Sequence, residues 1–512
     1  MAVDGRTLQH DSKTIKKFYE VACLLHSLNV ARGDRIKQNL PTEDDEYNLS
    51  KCRREFADAL AYISVKEKGG DTVTAVALGK SDEKVKIWIA MNKEVTDRDP
   101  VWAFLDKVLQ ELDRIADQQN KSPDRKKQED ILRDYILKFN KKKIYSYYTG
   151  ALSFWNKISS SASAPRDDDD FIALKSWVQE AFYKNAVKLR ADDMAGLAKK
   201  SHILRERNHG LDVLGALERL TTKSDALTTA YERLHKLLCK LGKHITLYRK
   251  LVRARKSLRN DFAGGYSISQ VPHSPSPNES ESFQSDLASI AGSIFPDNDG
   301  QNALLNHVHR FYDSGDLSQE LSQNCSSPRL VHAEIKLIDH FDRTSSRFLD
   351  ENDPYIGCSK PACYLCFSYI RNHPRGYALP PSHQKLYSRW RLPDVQVNDP
   401  DSWKRFEDQK RFLVDTTKTL YEDLRAEIRI QIGPWGAHAD STAGASSNAA
   451  IRVPMSMKSL REIGLHRARQ LSGNKRSNNE DRDNNGLLDG DEIVFKGRRG
   501  ACVSQKAIQS PS

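Results

Sequence analysis

No stretch of this chain approaches the roughly 20 uncharged apolar residues that a membrane-spanning helix needs. Hydrophobic residues make up 38% and charged residues 29%, with a mean hydropathy of −0.66, so no membrane partner is expected. Cysteine is scarce, with eight in 512 residues, too few for a secreted disulfide scaffold. The first residues, MAVDGRTLQHDSK, lack an apolar signal region, so an intracellular protein is expected, cytoplasmic or nuclear and not secreted. No repeat of 30–50 residues is evident. Neither charge sign dominates. Lys and Arg number 80 against 69 Asp and Glu, a net +11, which suits a polyanionic partner such as nucleic acid and equally a solvated surface.

At this length more than one compact unit, or one unit with a large insertion, is expected. Residues 1–49 read as a helical or irregular segment with an acidic patch at Glu43–Glu46. Residues 50–95 hold a helix, CRREFADALAYISVKEK, and then a change of apolar period from about 3.6 to 2. The runs TVTAVALG and VKIWIAMNK flank the polar Gly79–Glu83 and predict a β-hairpin, with Val85, Ile87 and Ile89 on one face. Residues 96–262 read as successive amphipathic helices. Within them KFNKKKIYSYY mixes lysine with aromatics, as single-strand nucleic-acid binders do and as solvated helix faces do more often. Residues 263–300 begin with a Gly/Ser/Pro-rich stretch and read as a flexible linker. Residues 301–432 carry the chemistry, and 433–512 read as a low-complexity, mostly disordered tail with one basic amphipathic helix at Ser456–Leu471.

The chemistry lies in RLVHAEIKLIDHF and YIGCSKPACYLCFSYI. His332 and Glu334 open a periodic helix, and Cys363 and Cys366 open a second one just after Pro361, which suits a helix start. One imidazole and two thiolates three residues apart make three ligands for Zn²⁺, leaving a fourth position for water. Metal and helix N-terminus both favour thiolate over thiol. Glu334, two residues from His332, reaches that water without being a ligand. The order H-x-E, then P-C-x-x-C, is the signature of zinc base deaminases. Cys358 is a third nearby thiol. As a fourth ligand it would close the site and make it structural; otherwise its side chain faces the core. Downstream, Tyr364, Ser382, His383, Tyr387 and Trp390 are candidates to line a base pocket, with core packing as the plain alternative for the aromatics. Asp481-x-Asp483-x-Asn485-Gly486, then Glu492, fits an EF-hand loop but lacks flanking helices.

The segment resembles the cytidine deaminase-like superfamily. Through VHAEIKLIDHF, YIGCSKPACYLC and PSHQKLYSRWRLP it is similar to the deaminase-like family found in fungi and in the bacterium Orientia. DALAYISVKEKGGDTVTAVAL also looks like members of that group. The resemblance implies an α/β fold, a three-layer α/β/α sandwich around a mixed sheet, in which a helix and hairpin precede the His-x-Glu helix. Here no hairpin lies just before His332, so a split domain is expected: the helix and hairpin come from 50–95 and the catalytic helices from 301–432, with a large all-helical insertion between. An independent N-terminal domain beside a degenerate core is the alternative. One departure stands out, because Ala362 separates Pro361 from Cys363 where the family has Pro directly before Cys.

The expected function is zinc-dependent hydrolytic deamination of cytosine or adenine, in a nucleotide or nucleic acid. Zinc-bound hydroxide is the nucleophile and Glu334 the proton shuttle. The alternative is a catalytically inactive, zinc-stabilised scaffold or nucleic-acid-binding module. The insertion could bind a protein partner, clamp substrate or act as a lid.

Overall fold

The computed structural model describes residues 7–430, except 30–31, 39–47, 94–98, 119–121, 205–211, 224, 273–284 and 345. All of these fall within one compact unit, Met1–Glu462. The acidic patch, the C-terminal tail with its helix and the EF-hand-like loop lie outside the described residues.

The alternating runs form a hairpin of β1 (Thr74–Ser81) and β2 (Lys84–Met91), paired from Thr74 opposite Met91 to Ser81 opposite Lys84. The turn is tighter than expected, with only Asp82 and Glu83 between the strands and Asp82 at φ 52°, a conformation that Asp tolerates. Gly79, expected in the turn, lies inside β1. A Cβ there would stand 3.0 Å from the Trp88 indole nitrogen and 3.1 Å from the Arg347 carbonyl.

A short hairpin of β3 (Tyr183–Lys184) and β4 (Val187–Lys188) stands apart from this sheet. It interrupts a stretch expected to be wholly helical. β5 (Tyr266–Gln270) lies parallel along β2, where a flexible linker was expected. Its Ser-rich composition disguised the alternation of Tyr266 and Ile268, which pack against the core around the helices Leu49–Ile63 and Thr228–Ser257. Gly264 lets the chain in: a Cβ there would meet the Glu83 carbonyl at 2.2 Å. β6 (Arg347–Phe348) and β7 (Ile356–Cys358) run antiparallel along the other edge of β1. The sheet is therefore mixed, ordered β5-β2-β1-β6 with β7 also on β1.

The pleat sends alternate side chains to two cores. Val76, Leu78, Val85, Ile87 and Ile89 face α2 (Leu49–Ile63), while Ala75, Ala77, Trp88 and Ala90 face α13 (Ala333–Arg343). Helix, sheet and helix make three layers. The α13 side is completed by α1 (Ser12–Ser27), α14 (Tyr364–Asn372) and α15 (Ser402–Ile430). In α15, Phe412, Leu413, Leu420 and Leu424 are buried, but Trp403 is 64% exposed. Short helices α10 (Leu287–Ile294), α11 (Asn298–Phe311) and α12 (Ser314–Ser326) lead up to α13.

Between the hairpin and β5 run α3 (Pro100–Asp117), α4 (Pro123–Phe139), α5 (Lys141–Ser160), α6 (Asp169–Phe182), α7 (Met194–Ile203), α8 (Val213–Lys223) and α9 (Thr228–Ser257). α9, about 45 Å long at 1.5 Å per residue, belongs to two cores. Its first half packs with α5–α8 through Tyr231, Leu234, Leu238 and Leu241, and its second half packs on α2 through Leu247, Leu251 and Ala254. Glu55 of α2 pairs with Lys250 and Arg253 at 2.8 Å each.

Gly357 on β7 lies against α2: a Cβ there would fall 2.5 Å from the Ala57 carbonyl carbon and 2.6 Å from the Asp58 nitrogen. Backbone cannot yield as a side chain can. Gly357→Ala is expected to cost about 2–3 kcal/mol, read as a lowered urea midpoint at unchanged slope.

Candidate metal centre

Two helix N-termini meet at one point. His332 is the N-cap of α13, and Cys363 is the N-cap of α14. Cys366 follows in the first turn of α14, and its N–H donates to Cys363 Sγ at 3.4 Å. His332 Nδ1 lies 3.6 Å from Cys363 Sγ and 3.3 Å from Cys366 Sγ. Ligand atoms of a tetrahedral zinc, at about 2.3 Å for sulfur and 2.0 Å for nitrogen, are separated by about 3.6 Å. The three residues, with donor atoms all within 4.8 Å of one another, therefore fit such an ion and could hold one.

The electrostatics agree with that donor set. Burial alone disfavours a Cys363 thiolate, but the contact with Cys366 and the His332 charge overturn it and hold its thiol well below the ordinary range. Burial and the neighbouring Cys363 push Cys366 up. Burial would lower His332, yet Cys363 reverses this and raises it. Without a metal the trio thus leans toward a thiolate–imidazolium pair, the charge distribution that a divalent cation replaces.

Glu334 is 4% exposed and sits beside the trio. Its Oε2 accepts from Cys366 Sγ at 3.9 Å, and its Oε1 accepts from the Cys358 thiol at 3.5 Å. Burial raises its carboxyl above the usual range. Cys358 is absent from the metal-capable group. It occupies the end of β7, where its N–H donates to Asp58 Oδ1 at 3.1 Å, and its thiol is turned to the glutamate. Ala362, the extra residue before Cys363, has a backbone task. Its N–H donates to the Pro381 carbonyl at 2.8 Å and its carbonyl accepts from His383 N at 3.1 Å. A proline directly before the cysteine could not donate that first bond.

The five candidate pocket residues divide. Tyr387 is half-buried, with its ring 6.5 Å from the His332 ring, 5.6 Å from His383 and 5.9 Å from His26. Tyr364 is half-buried in the first turn of α14, and its N–H bonds the Lys385 carbonyl at 2.9 Å. Burial drives His383 down to about 3, so its ring is neutral, and its Nδ1 accepts from Lys385 N at 3.0 Å. Ser382 spends its hydroxyl on the Ala362 carbonyl at 2.9 Å. Trp390 is fully buried, within 6.1 Å of Phe18 and 5.8 Å of Phe412, and belongs to the core. No named strand forms over 376–392. The stretch is an extended strap joined by isolated bridges, such as Ser382 to Ile36 and to Ala362.

Asn92 escaped the sequence reading. It directly follows β2, 241 residues from Ala333, and its Oδ1 accepts the Ala333 N–H at 2.8 Å. A ring engaged with two sulfurs cannot cap its own helix, and Asn92 does so from the sheet. Lys336 answers from the helix by donating to the Met91 carbonyl at 2.7 Å. Asn92→Ala is expected to cost about 1 kcal/mol and to weaken metal retention about tenfold, measured by chelator competition. In cobalt-loaded protein, Cys358→Ser should leave the thiolate charge-transfer band unchanged, whereas Cys366→Ser should remove about half of it.

Residues 331–394, about an eighth of the chain, match the family model described as OTT_1508_deam:-like deaminase, a deaminase family of the cytidine deaminase-like superfamily. No curated protein and no solved structure matches the chain.

Proposed function

We propose, starting from the deaminase-family stretch at 331–394 and the His332, Cys363 and Cys366 group within it, that this protein is a zinc-dependent hydrolytic deaminase. Its substrate would be cytosine or adenine, in a nucleotide or in nucleic acid. The observation that carries the reading is the placement of Glu334, a buried carboxyl beside three metal-capable residues, a donor set that on zinc would leave a fourth position for water. Zinc, when bound, would supply the Lewis acidity that makes water a nucleophile near neutral pH.

The chain's own groups would do the rest. Glu334, raised by burial, suits a group that must both take and return a proton near neutrality. It would accept the proton of the attacking water, pass it to the ring nitrogen, and deliver the next to the departing ammonia. The Cys358 thiol on Oε1 leaves Oε2 on the side of the metal-capable trio. Tyr387, half-exposed beside His332, is the candidate to stack on the base. The pairing of the 74–91 hairpin with β7 supports reading the catalytic domain as split around the helices of the insertion. The net charge of +11 is compatible with a phosphate-bearing substrate.

The competing reading, an inactive zinc scaffold, predicts a closed site. It is disfavoured by Cys358, whose thiol donates to Glu334 and which is not part of the metal-capable group.

Zinc-loaded wild type and Glu334→Gln should be compared for ammonia release from cytidine, adenosine, their monophosphates and single-stranded oligonucleotides. Wild type is expected to turn over at least one of them. Glu334→Gln should keep its zinc and lose at least about 100-fold in rate. Undiminished turnover in Glu334→Gln would remove the shuttle role. Equal zinc content with no turnover of any substrate by wild type would favour the scaffold.

A further inference from the structure

Outside the metal centre, two further thiols share one seam of the core. Cys23 lies in α1 and Cys325 near the end of α12, and both are fully buried in the same cluster. Contacts on either side bracket them. One turn before Cys23, the Tyr19 ring carries the Arg329 guanidinium at 3.9 Å, and that guanidinium donates to the Cys325 carbonyl at 3.2 Å. One turn after Cys23, Ser27 Oγ accepts from Asn324 Nδ2 at 2.9 Å and donates to the Cys23 carbonyl at 3.0 Å. The two segments therefore run antiparallel, Tyr19 against Arg329 and Ser27 against Asn324, with the cysteines between these contacts. On α12, Leu317, Leu321 and Cys325 form one buried stripe, which turns Cys325 into the core that α1 shares.

A buried thiol is ordinary, since cysteine packs as a small apolar residue. What sets this pair apart is that each thiol acts on the other. Contact with Cys325, and then burial, push the Cys23 thiol up, while contact with Cys23 outweighs burial and lowers Cys325. The Arg329 charge beside Cys325 acts in the same direction. One sulfur is thus the readier nucleophile and the other its protonated neighbour.

We propose that Cys23 and Cys325 are an oxidisable pair whose disulfide staples α1 to α12, with a small peroxide as the oxidant. The Cys325 thiolate attacks one peroxide oxygen, the O–O bond breaks, and hydroxide leaves as Cys325 becomes a sulfenic acid. The Cys23 sulfur then attacks the Cys325 sulfur, the S–O bond breaks, and the Cys23 proton leaves with that oxygen as water. The hydroxide takes up the proton that Cys325 gave up. Two thiols and one hydrogen peroxide give one disulfide and two waters, with two electrons passing from sulfur to oxygen. Peroxide is close to water in size, and local openings of the native state admit it to a packed seam. The staple would join two elements that touch the metal centre's surroundings. His26 of α1 donates from Nδ1 to the Leu386 carbonyl at 2.9 Å, with its ring 5.9 Å from Tyr387, and the chain passes from α12 directly to His332. The proposal is independent of the deaminase reading.

The test uses the full-length, zinc-loaded chain, reduced, treated with hydrogen peroxide and digested with trypsin without reductant. The native chain is expected to yield peptide 18–32 linked to peptide 311–329, which hold Cys23 and Cys325. The linked form should melt about 5 °C higher, because the disulfide closes a loop of some 300 residues, and dithiothreitol should reverse the rise. In Cys325→Ala neither the link nor the rise should form, and Cys23→Ala takes its place should that variant not fold. Recovery of both peptides unlinked from the native chain overturns the proposal. So does a link that takes the same share of the disulfides when the chain is oxidised in urea, since the fold would then not be placing the pair. A peroxide-induced rise in Tm that persists in the alanine variant overturns the staple.

Discussion

The deaminase-like part of this protein is organised around the cost of bringing ionisable groups out of water. Glu334, Cys363 and Cys366 are each at least 96% buried, with the half-buried His332 between them. Carboxyl, thiol and imidazole groups kept that close, and that dry, need compensation. Part of it comes from two helix N-termini aimed at the same point, since His332 and Cys363 are both N-caps and the positive ends of α13 and α14 favour the anionic forms of their neighbours. A divalent cation would supply the remainder, which ties stability of the site to its loading.

Because the site sits on two N-caps, whatever fixes those helices fixes the chemistry. α13 is held by the sheet through Asn92 and Lys336. α14 is held by the strap, through Ala362 with Pro381 and Tyr364 with Lys385. The strap is braced in turn by the N-terminal segment, where Ile36 and Ser382 exchange backbone bonds and Arg32 N donates to the Gln384 carbonyl at 2.9 Å. Arg32 also forms a buried ion pair with Glu427 of α15. Such a pair contributes little net stability, but it fixes the N-terminal segment against α15 beside the strap. α1, which the sequence marked only faintly, is a full member of the core through Phe18, Val21, Leu24 and Leu25.

The helices between the hairpin and β5 are joined to the sheet rather than tethered to it. α9 shares one core with α2 and another with α5–α8. Asp261, just past its end, and Asp350, beside β6, both grip Arg53, at 2.8 and 2.6 Å. A change in the inserted helices would therefore be felt at α2, and α2 supplies Asp58 to the backbone of Cys358. This gives a contiguous physical route from the insertion to the neighbour of Glu334.

The sequence by itself marked the metal-capable residues and the elements that carry them. The spacing of His332, Glu334, Cys363 and Cys366 is local to two helix starts, and such starts obey short-range rules. The hairpin was legible for the same reason, since a period of 2 is written within each strand. Tertiary structure decided what surrounds those residues. That Asn92 caps α13, that Cys358 turns to the glutamate, that Trp390 is core while Tyr387 stays near His332, and that a Ser-rich stretch adds a fifth strand all depend on which segments meet. Pairing across some 180 to 280 residues is set by the burial of whole faces against one another, and no local pattern records it.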